Sequence, residues 1–553
     1  MKKQFLSVLG LVICMLFVLA ACSDDNKEPS KSSASSGTAQ NETVKKGHIT
    51  VSVYDRGNVP ASEGTIDNNR WAKWINDNGP TDVTFVPIPR NDPAQKWNVL
   101  FASGNAPDVV NEFAPNILDP LIDQKQLMPL DDLIENSSVE YKELLKEYPA
   151  LKKVTTGTDG NIYKVGRVLP SFPLNAMFIR MDWLEKLHLD VPKTTEELYQ
   201  VAKAFAEQDP DGNGEKDTYG IAISWRSENV INGMFGSPGA SYGLVDGLPG
   251  RGFEYAKQAT EFKKRLFDEG IVDQDFANDK NGAKAKQDFL NGKLGIYPAF
   301  VGNWFNFTVT DLQLLTQADP GAIVEPIALP ESPAGEYIPE LQNPVQATTA
   351  INAKTKDPVA AIKYIDFIDR ESTGRTLLFG QEGVHYQLDE AGCPQSIDPA
   401  KTKTEVSWAV DFSQSYTRML SGQCASTETQ FNTDVPEQKA GLEMYQKANQ
   451  LYMDSTKKYP TITLGEHMPT LPKDMQTTFN TINSDIADIW TKAVLSGSKY
   501  TVDQAYKDVV SNWEKAGGKE IDEFMIDWYK NKQDSAFLMS DYWDTVDQQK
   551  LQQ

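Results

Sequence analysis

The sequence predicts an α/β fold, with a parallel sheet covered by helices, on three observations. Strand-like runs at Ile49 to Tyr54, Val83 to Pro87 and Asp108 to Phe113 alternate with helical patterns around Trp71 to Asn76 and Gln95 to Ala102. That is a βαβαβ rhythm, in which each crossover needs a helix to return the chain to the same sheet edge. A second strand-to-helix passage begins at Asn175, and a chain of 553 residues has length for about two to four such units with ample buried core.

The elements follow in order. In the first strand Ile49, Val51 and Val53 alternate with polar residues, as in a half-buried strand. Asn175 to Arg180 is a further strand, continued by a helix from Asp182 to Leu187. Thr194-Thr195-Glu196-Glu197 then opens a helix to Ala206, with Thr194 or Thr195 as N-cap. Leu294 to Phe300 and Ala347 to Asn352 read as strands, and Pro358 to Arg370 as an amphipathic helix. The C-terminal third is mainly helical, most clearly at Met475 to Ser496 and Val502 to Ala516. No fixed-period repeat appears.

Ahead of these elements, residues 1–21 form a targeting segment: Lys2 and Lys3 precede an apolar run from Phe5 to Leu19, and Ala20-Ala21 supply small residues for cleavage. Cys22 follows. Residues 22–46, rich in Ser, Lys, Asp and Asn, cannot bury enough apolar surface to offset their ordering entropy and read as a flexible tether. No later stretch approaches the length of apolar sequence that spans a bilayer.

Composition excludes several classes. With 54 Lys and Arg against 77 Asp and Glu there is no basic footprint to neutralise a nucleic-acid backbone. Four His and no C-x-x-C or H-x-x-x-H spacing leave a zinc enzyme without a local signature. Neighbouring carboxylates such as Asp131-Asp132 read as solvated helix positions, since adjacent helical residues do not face one another. No G-x-S-x-G accompanies His385, which reads as structural or cleft-lining.

The strongest local motif runs from Asp209 to Gly220. Asp209, Asp211, Asn213 and Asp217 place oxygen side chains at the first, third, fifth and ninth positions, Gly214 stands where the loop turns sharply, and Glu215 offers its backbone carbonyl. Hard oxygen ligands at alternate positions suit a structural Ca²⁺. The twelfth position is Gly220, not the bidentate Glu of an EF-hand, so Asp217 is the candidate for that contact and Thr218 completes the ligand set. The alternative is a metal-free Asx-rich turn.

Leu19-Ala20-Ala21-Cys22 resembles the bacterial lipobox, which implies a lipidated Cys22. With it, the segments Leu100 to Val110, Phe178 to Leu184, Asp209 to Gly220, Gln381 to Tyr386 and Trp513 to Gly518 with Trp528-Tyr529 resemble the extracellular solute-binding lipoproteins of ABC sugar importers. The likeness is to the large oligosaccharide-binding branch that includes alginate-oligosaccharide-binding proteins. It implies a two-lobed periplasmic-binding-protein-like fold of type II, with multiple crossovers and a helical C-terminal region. The first lobe would take residues 47–168 and 350–445 and the second 169–349 and 446–553. It further implies a non-enzymatic, monomeric receptor, lipid-anchored on the outer face of the cell membrane, that delivers an oligosaccharide to an ABC permease. A secreted, calcium-stabilised carbohydrate-active enzyme is the alternative.

For the ligand cleft, Trp304 follows the strand Leu294 to Phe300 in a loop, where α/β sheets bind ligands, and resembles the strand-then-Trp element of maltodextrin-type binding proteins. Trp408, Tyr54, Arg226 and Tyr386 are the further candidates for sugar contact. Cys393 and Cys424 form either a disulfide or two buried thiols.

Overall fold

The structure, a computed structural model, describes residues 46–551 apart from 391, 415, 417–426 and 533. Cys22, the targeting segment and Cys424 lie outside the described residues. In chain order the strands are β1 (Gly47–Asp55), β2 (Thr81–Pro89), β3 (Val109–Asn111), β4 (Lys164–Val168), β5 (Asn175–Arg180), β6 (Tyr219–Ile221), β7 (Gly243–Val245), β8 (Leu248–Gly250), β9 (Leu294–Phe300), β10 (Val324–Ile327), β11 (Val345–Ile351), β12 (Tyr386–Leu388) and β13 (Pro394–Ser396).

Two sheets organise two lobes. The first has the order β2-β1-β3-β11-β4 and the second β10-β5-β9-β6. β1 pairs in parallel with β2 and β3, as the βαβαβ rhythm requires. Beyond these three strands both sheets are mixed. β11 arrives from the other lobe and runs antiparallel between β3 and β4, while β5 pairs antiparallel with both β9 and β10. Strands that enter a sheet by a hinge crossing, with no helical crossover, are free to take either direction.

Each sheet has its own core. Ile49, Val51, Val53, Val109, Val165 and Ile351 pack with Ile362, Ile365 and Ile368 of the helix Pro358–Asp369. Phe178, Ile179, Ile221, Ile296 and Ala299 pack with Leu198, Ala202 and Phe205 of the helix Thr195–Glu207. Full burial of each large aliphatic or aromatic side chain contributes about 1.5 to 3 kcal/mol. The second of these helices starts where the sequence indicates. Thr194 Oγ1 accepts from Glu197 N, and the Glu197 carboxylate accepts from Thr194 N, both at 3.2 Å.

Against the expected partition, the cores divide differently in two places. Phe431 and Tyr445, expected in the first lobe, pack with the second sheet, and Phe537, Tyr542 and Val546, expected in the second, return to the first. Backbone bonds such as Leu174 N to Glu340 O and Ile338 N to Lys458 O tie the segments 169–174, 336–344 and 458–464 into one hinge.

The helices Lys473–Leu495, Val502–Lys515 and Gly518–Lys532 form a third core with Tyr242. At its centre the Arg251 guanidinium lies 4.5 Å from the Trp513 ring, 5.1 Å from Phe479 and 5.4 Å from Tyr242. Burial draws its pKa down to about 10. Asp522 accepts from Tyr242 Oη and Trp513 Nε1, both at 2.8 Å. These contacts fix the C-terminal helices to the second lobe. No helix among the described residues is long and apolar enough to cross a membrane.

Candidate functional site

β4 ends at Val168 and β5 begins at Asn175, so the hinge segment between them joins the carboxyl end of β1 to β4 to the corresponding end of the second sheet. Carboxyl strand ends carry ligand sites in open α/β sheets because their loops are free of ladder bonds. The candidate site is the set of side chains presented there by both lobes.

On the second lobe, β6 ends at Ile221 and the helix Trp225–Met234 begins beside the last residue of β9, Phe300. Trp225 is 43% exposed, the only one of the eleven tryptophans to be exposed. Its φ is +47°, a left-handed conformation that costs a non-glycine residue about 1 to 2 kcal/mol. The indole needs the missing side chain of Gly282, where a Cβ would lie 2.6 Å from Trp225 Cε3. Phe300 meets Trp225 edge to face at 6.3 Å. The Arg226 guanidinium lies 5.2 Å from the Trp225 ring and 3.8 Å from that of Phe300. Arg226 also reaches the Glu340 carboxylate on the hinge at 3.5 Å, and Asn175 Nδ2 donates to the same oxygen at 3.2 Å.

On the first lobe, Arg56 follows β1 and grips Asp411 with two bonds of 2.6 and 2.9 Å. Arg90 follows β2 and stands 4.9 Å from the Tyr54 ring and 4.8 Å from that of Phe113. Beneath them Glu112 is fully buried. It accepts from Tyr54 Oη at 2.6 Å, from Trp97 Nε1 at 2.9 Å, and from the backbone of Phe113 and Ala114. These four donors satisfy the carboxylate and fix the rings above it. Burial, with the charge of Glu112, pushes the Tyr54 phenol well above its ordinary range.

At the hinge, Arg167 donates to Gln346 Oε1 from Nε at 3.1 Å and from Nη2 at 2.6 Å. Burial lowers its pKa to about 10. Gln346 Nε2 donates to Glu466 at 2.9 Å, Asn343 Nδ2 to the same carboxylate at 2.8 Å, and Asn343 Oδ1 faces His467 Nε2 at 2.8 Å.

Four residues expected at the ligand are held in cores. Trp304 is 1% exposed, with Nε1 donating to Pro173 O at 2.8 Å and the ring against Phe178 and Tyr445. The loop after β9 does not present it, because the chain winds at once into a π-helical turn over Asn306–Asp311 that draws the indole inward. Trp408 is buried in the first core, donating to Thr404 O at 2.9 Å. Tyr54 is anchored to Glu112, and Tyr386 is buried beside Phe379. Neighbouring His385 is structural: Nδ1 accepts from Gln381 N and Nε2 meets the Glu405 carboxylate at 3.1 Å. Arg226 alone of the candidate contacts stands on the accessible surface, and the sequence reading passed over Trp225. The signal available was an aromatic-Arg pair just beyond a strand end.

In the loop from Asp209 to Asp217, Gly214 takes φ +82°. Asp209 Oδ1 accepts from Gly212 N at 3.1 Å and Oδ2 from Gly214 N at 3.2 Å. Asn213 Nδ2 donates to Asp211 at 2.8 Å and to Asp217 at 3.1 Å, while Glu215 N donates to Asn213 Oδ1 at 2.6 Å. Desolvation and contact with the Asp209 carboxylate raise the Asp211 pKa. Crowded carboxylates on an oxygen-only loop are the chemistry a hard cation would relieve. As it stands the loop is knit by its own amides, and Asp217 is drawn to Lys293 at 2.7 Å. Among the described residues no group of three or more His, Cys, Asp or Glu is arranged to hold a metal ion. The Thr218 hydroxyl departs from the expected ligand set: it is buried and donates to Phe205 O at 2.8 Å. Cys393 is buried and disulfide-bonded.

Comparison with known proteins supplies the context. A model of bacterial extracellular solute-binding proteins matches residues 67–371. The chain is 28% identical over 324 residues to a polygalacturonan/rhamnogalacturonan-binding protein, YtcQ, of Bacillus subtilis, covering 56% of this chain and 61% of the relative. It is 31% identical over 237 residues to the fructooligosaccharide ABC transporter substrate-binding protein FusA of Streptococcus pneumoniae, covering 38% of this chain and 42% of the relative. These matches thus span less than two thirds of either relative's length. Among solved structures, a human-milk-oligosaccharide (HMO) solute-binding protein from Bifidobacterium longum infantis superposes over 88% of this chain and 99% of its own, with TM-score 0.67 and 20% identity. FusA described as an EF-hand mutant superposes over 88% of this chain and 99% of its own, with TM-score 0.61 and 18% identity. At such identities these likenesses establish the fold.

Proposed function

This chain belongs to the family of bacterial extracellular solute-binding proteins, and we propose on that premise that it is a non-enzymatic receptor for an oligosaccharide. The ligand is captured between the lobes, and the closed form is handed to an ABC permease. The exposed Trp225, braced by Phe300 and Arg226 at the carboxyl end of the second sheet, carries the reading. An indole face buries the C–H face of a pyranose, and guanidinium and carboxylate groups around it hydrogen-bond the hydroxyls. Across the hinge, Arg56, Arg90 and Phe113 supply the opposing surface. YtcQ and FusA are described as binding oligosaccharides or polysaccharides, which supports the ligand class.

A glycosidase needs two carboxylates free to act on the bond between them. Glu112 is fully engaged and Asp411 is clamped by Arg56, which favours the receptor. The remaining parts of the proposal are Cys22 as a diacylglyceryl anchor on the outer face of the membrane, a monomer, and a structural Ca²⁺ held by Asp209, Asp211, Asn213 and Asp217 with the Glu215 carbonyl. Two acyl chains make a lasting anchor where one would be marginal. Calorimetry with panels of pectic, fructan and glucan oligosaccharides, followed by chromatography of the sugar, tests the function. Saturable binding with the sugar recovered intact is the expected result; turnover would sink the receptor reading.

A further inference from the structure

Asn-Gly steps occur at Asn213, Asn232, Asn281 and Asn291. Such a step is chemically labile, because the glycine nitrogen can attack the asparagine carboxamide and no side chain on the glycine hinders its approach. The reaction needs that nitrogen free of a hydrogen bond and the pair outside regular structure. Three of these steps fail a condition. Gly214 N donates to Asp209 at 3.2 Å, and the Asn213 nitrogen that would leave is tied to Asp211 and Asp217. Asn232 and Gly233 lie within the helix Trp225–Met234, with Lys263 Nζ donating to Asn232 Oδ1 at 3.0 Å. Gly292 N donates to Phe289 O at 3.0 Å.

Asn281 meets both conditions. It is exposed, in the turn ahead of the helix Ala283–Leu290, and Gly282 N makes no hydrogen bond among the described residues. Ala283 N donates at 3.1 Å to Asn281 Oδ1, the oxygen that takes up negative charge when the carboxamide carbon is attacked. The same turn cradles the exposed indole. Gly282, at φ +72°, is the residue on which Trp225 packs. The Asp279 carboxylate accepts from Ala285 N at 3.0 Å and from Ser224 Oγ at 2.9 Å, which joins the turn to the residue just before Trp225.

We propose that Asn281 is a site of spontaneous deamidation, and that its isoaspartate product displaces Trp225. Gly282 N bonds to Asn281 Cγ and gives its proton to solvent; the Cγ–Nδ2 bond breaks, and the departing nitrogen takes a proton from water to leave as ammonia. The cyclic succinimide that remains is opened by water at either carbonyl, to aspartate or to isoaspartate. Isoaspartate carries the main chain through its side-chain carbons, so a methylene enters the backbone directly before Gly282. There is no room for it under the indole, since even a single carbon on Gly282 would lie 2.6 Å from Trp225 Cε3. The cost to sugar capture rests on the receptor reading above; the chemistry at Asn281 does not.

The test ages the full mature chain at mildly alkaline pH and maps each step by peptide mass spectrometry and enzymatic methylation of isoaspartate. Asn281 should convert about two- to tenfold faster than Asn213 or Asn291, the factor that one hydrogen bond contributes, and Asn232 should stay intact. Acrylamide quenching of tryptophan fluorescence should change in proportion to isoaspartate at Asn281. Asn281→Ser, which keeps an oxygen for Ala283 N, and Trp225→Phe should both remove that change; if either variant melts early, the proportionality in the wild type decides. Conversion at Asn281 no faster than at the other steps overturns the site, and conversion with unaltered quenching overturns its effect on Trp225. Neither readout uses a sugar, so failure here leaves the receptor reading standing, and a chain that binds no sugar leaves this site standing.

Discussion

The Arg226 guanidinium lies 3.8 Å from the centroid of the Phe300 ring, so the cation is stacked on the last residue of a central strand. Cation-π contact of this kind stabilises a partly desolvated arginine by about 0.5 to 2 kcal/mol. It leaves the guanidinium edge free for Glu340 and for a ligand, and it backs the exposed indole of Trp225.

Trp225→Ala should weaken oligosaccharide binding by about 1 to 3 kcal/mol with little change in melting temperature, because the ring packs mainly on one edge. Trp304→Ala should do the reverse. It removes a ring from a closed core and should cost about 3 to 5 kcal/mol of stability. Paired calorimetry and thermal unfolding separate the two, and the opposite pattern would return the platform to Trp304.

Calcium should stabilise the fold through the loop at Asp209. A site occupied at a hundredfold over its Kd adds about 2.7 kcal/mol, so EGTA should lower the melting temperature and added Ca²⁺ restore it. Asp211→Ala should abolish the difference. Melting that is identical with and without chelator would show the loop to be held by its amides alone.

Cys393 is disulfide-bonded, and a bridge to Cys424 is the expected pairing in the mature chain. Titration of unfolded, unreduced protein should find no free thiol at either position. Reduction should remove about 3 kcal/mol in the chain-entropy account. Two reactive thiols per chain would exclude the bridge.

Stability should fall on mild acidification through His467. Burial, with the nearby charge of Lys164, lowers its pKa from 6.5 to about 3. Between those values the unfolded chain binds a proton that the folded chain refuses, so stability is full above pH 6.5 and is lost as pH falls toward 3. The slope is at most about 1.4 kcal/mol per pH unit, and less because the ring borders a cavity. His467→Gln should flatten the pH dependence of the melting temperature across this interval; an unchanged slope would assign it to other groups.

Much of the fold was legible because local chemistry decided it. The run Thr194-Thr195-Glu196-Glu197 marked a helix start, with the cap on either threonine, and the alternation of Ile49, Val51 and Val53 marked a strand. Strand direction was not legible, since β11 and β5 take theirs from a hinge that only the folded chain brings together. The site was legible only in part. Arg226 was found from its residue type, but Trp304, expected at the ligand, lies in a core, and the exposed Trp225 carried no expectation. A π-helical turn draws one inward, and a left-handed backbone beside Gly282 turns the other outward; neither leaves a periodicity in the sequence. The Asp209 loop was readable from spacing, whereas the inward turn of Thr218 depends on the Phe205 carbonyl, a contact made across elements.

The late arrival of β11 sets an order of assembly. Residues 175–327 contain every strand of the second sheet, so that sheet can close as soon as they have been synthesised. The first sheet, though begun at Gly47, lacks the strand between β3 and β4 until Val345 to Ile351 emerge. During synthesis the earlier half therefore waits, with the β3 edge unpaired, for a strand delivered from beyond its neighbour. Pairing over so long a sequence separation is slow, and an unpaired edge is open to wrong partners. The nascent first lobe is thus the part of this chain with most need of a holdase before its own folding can finish.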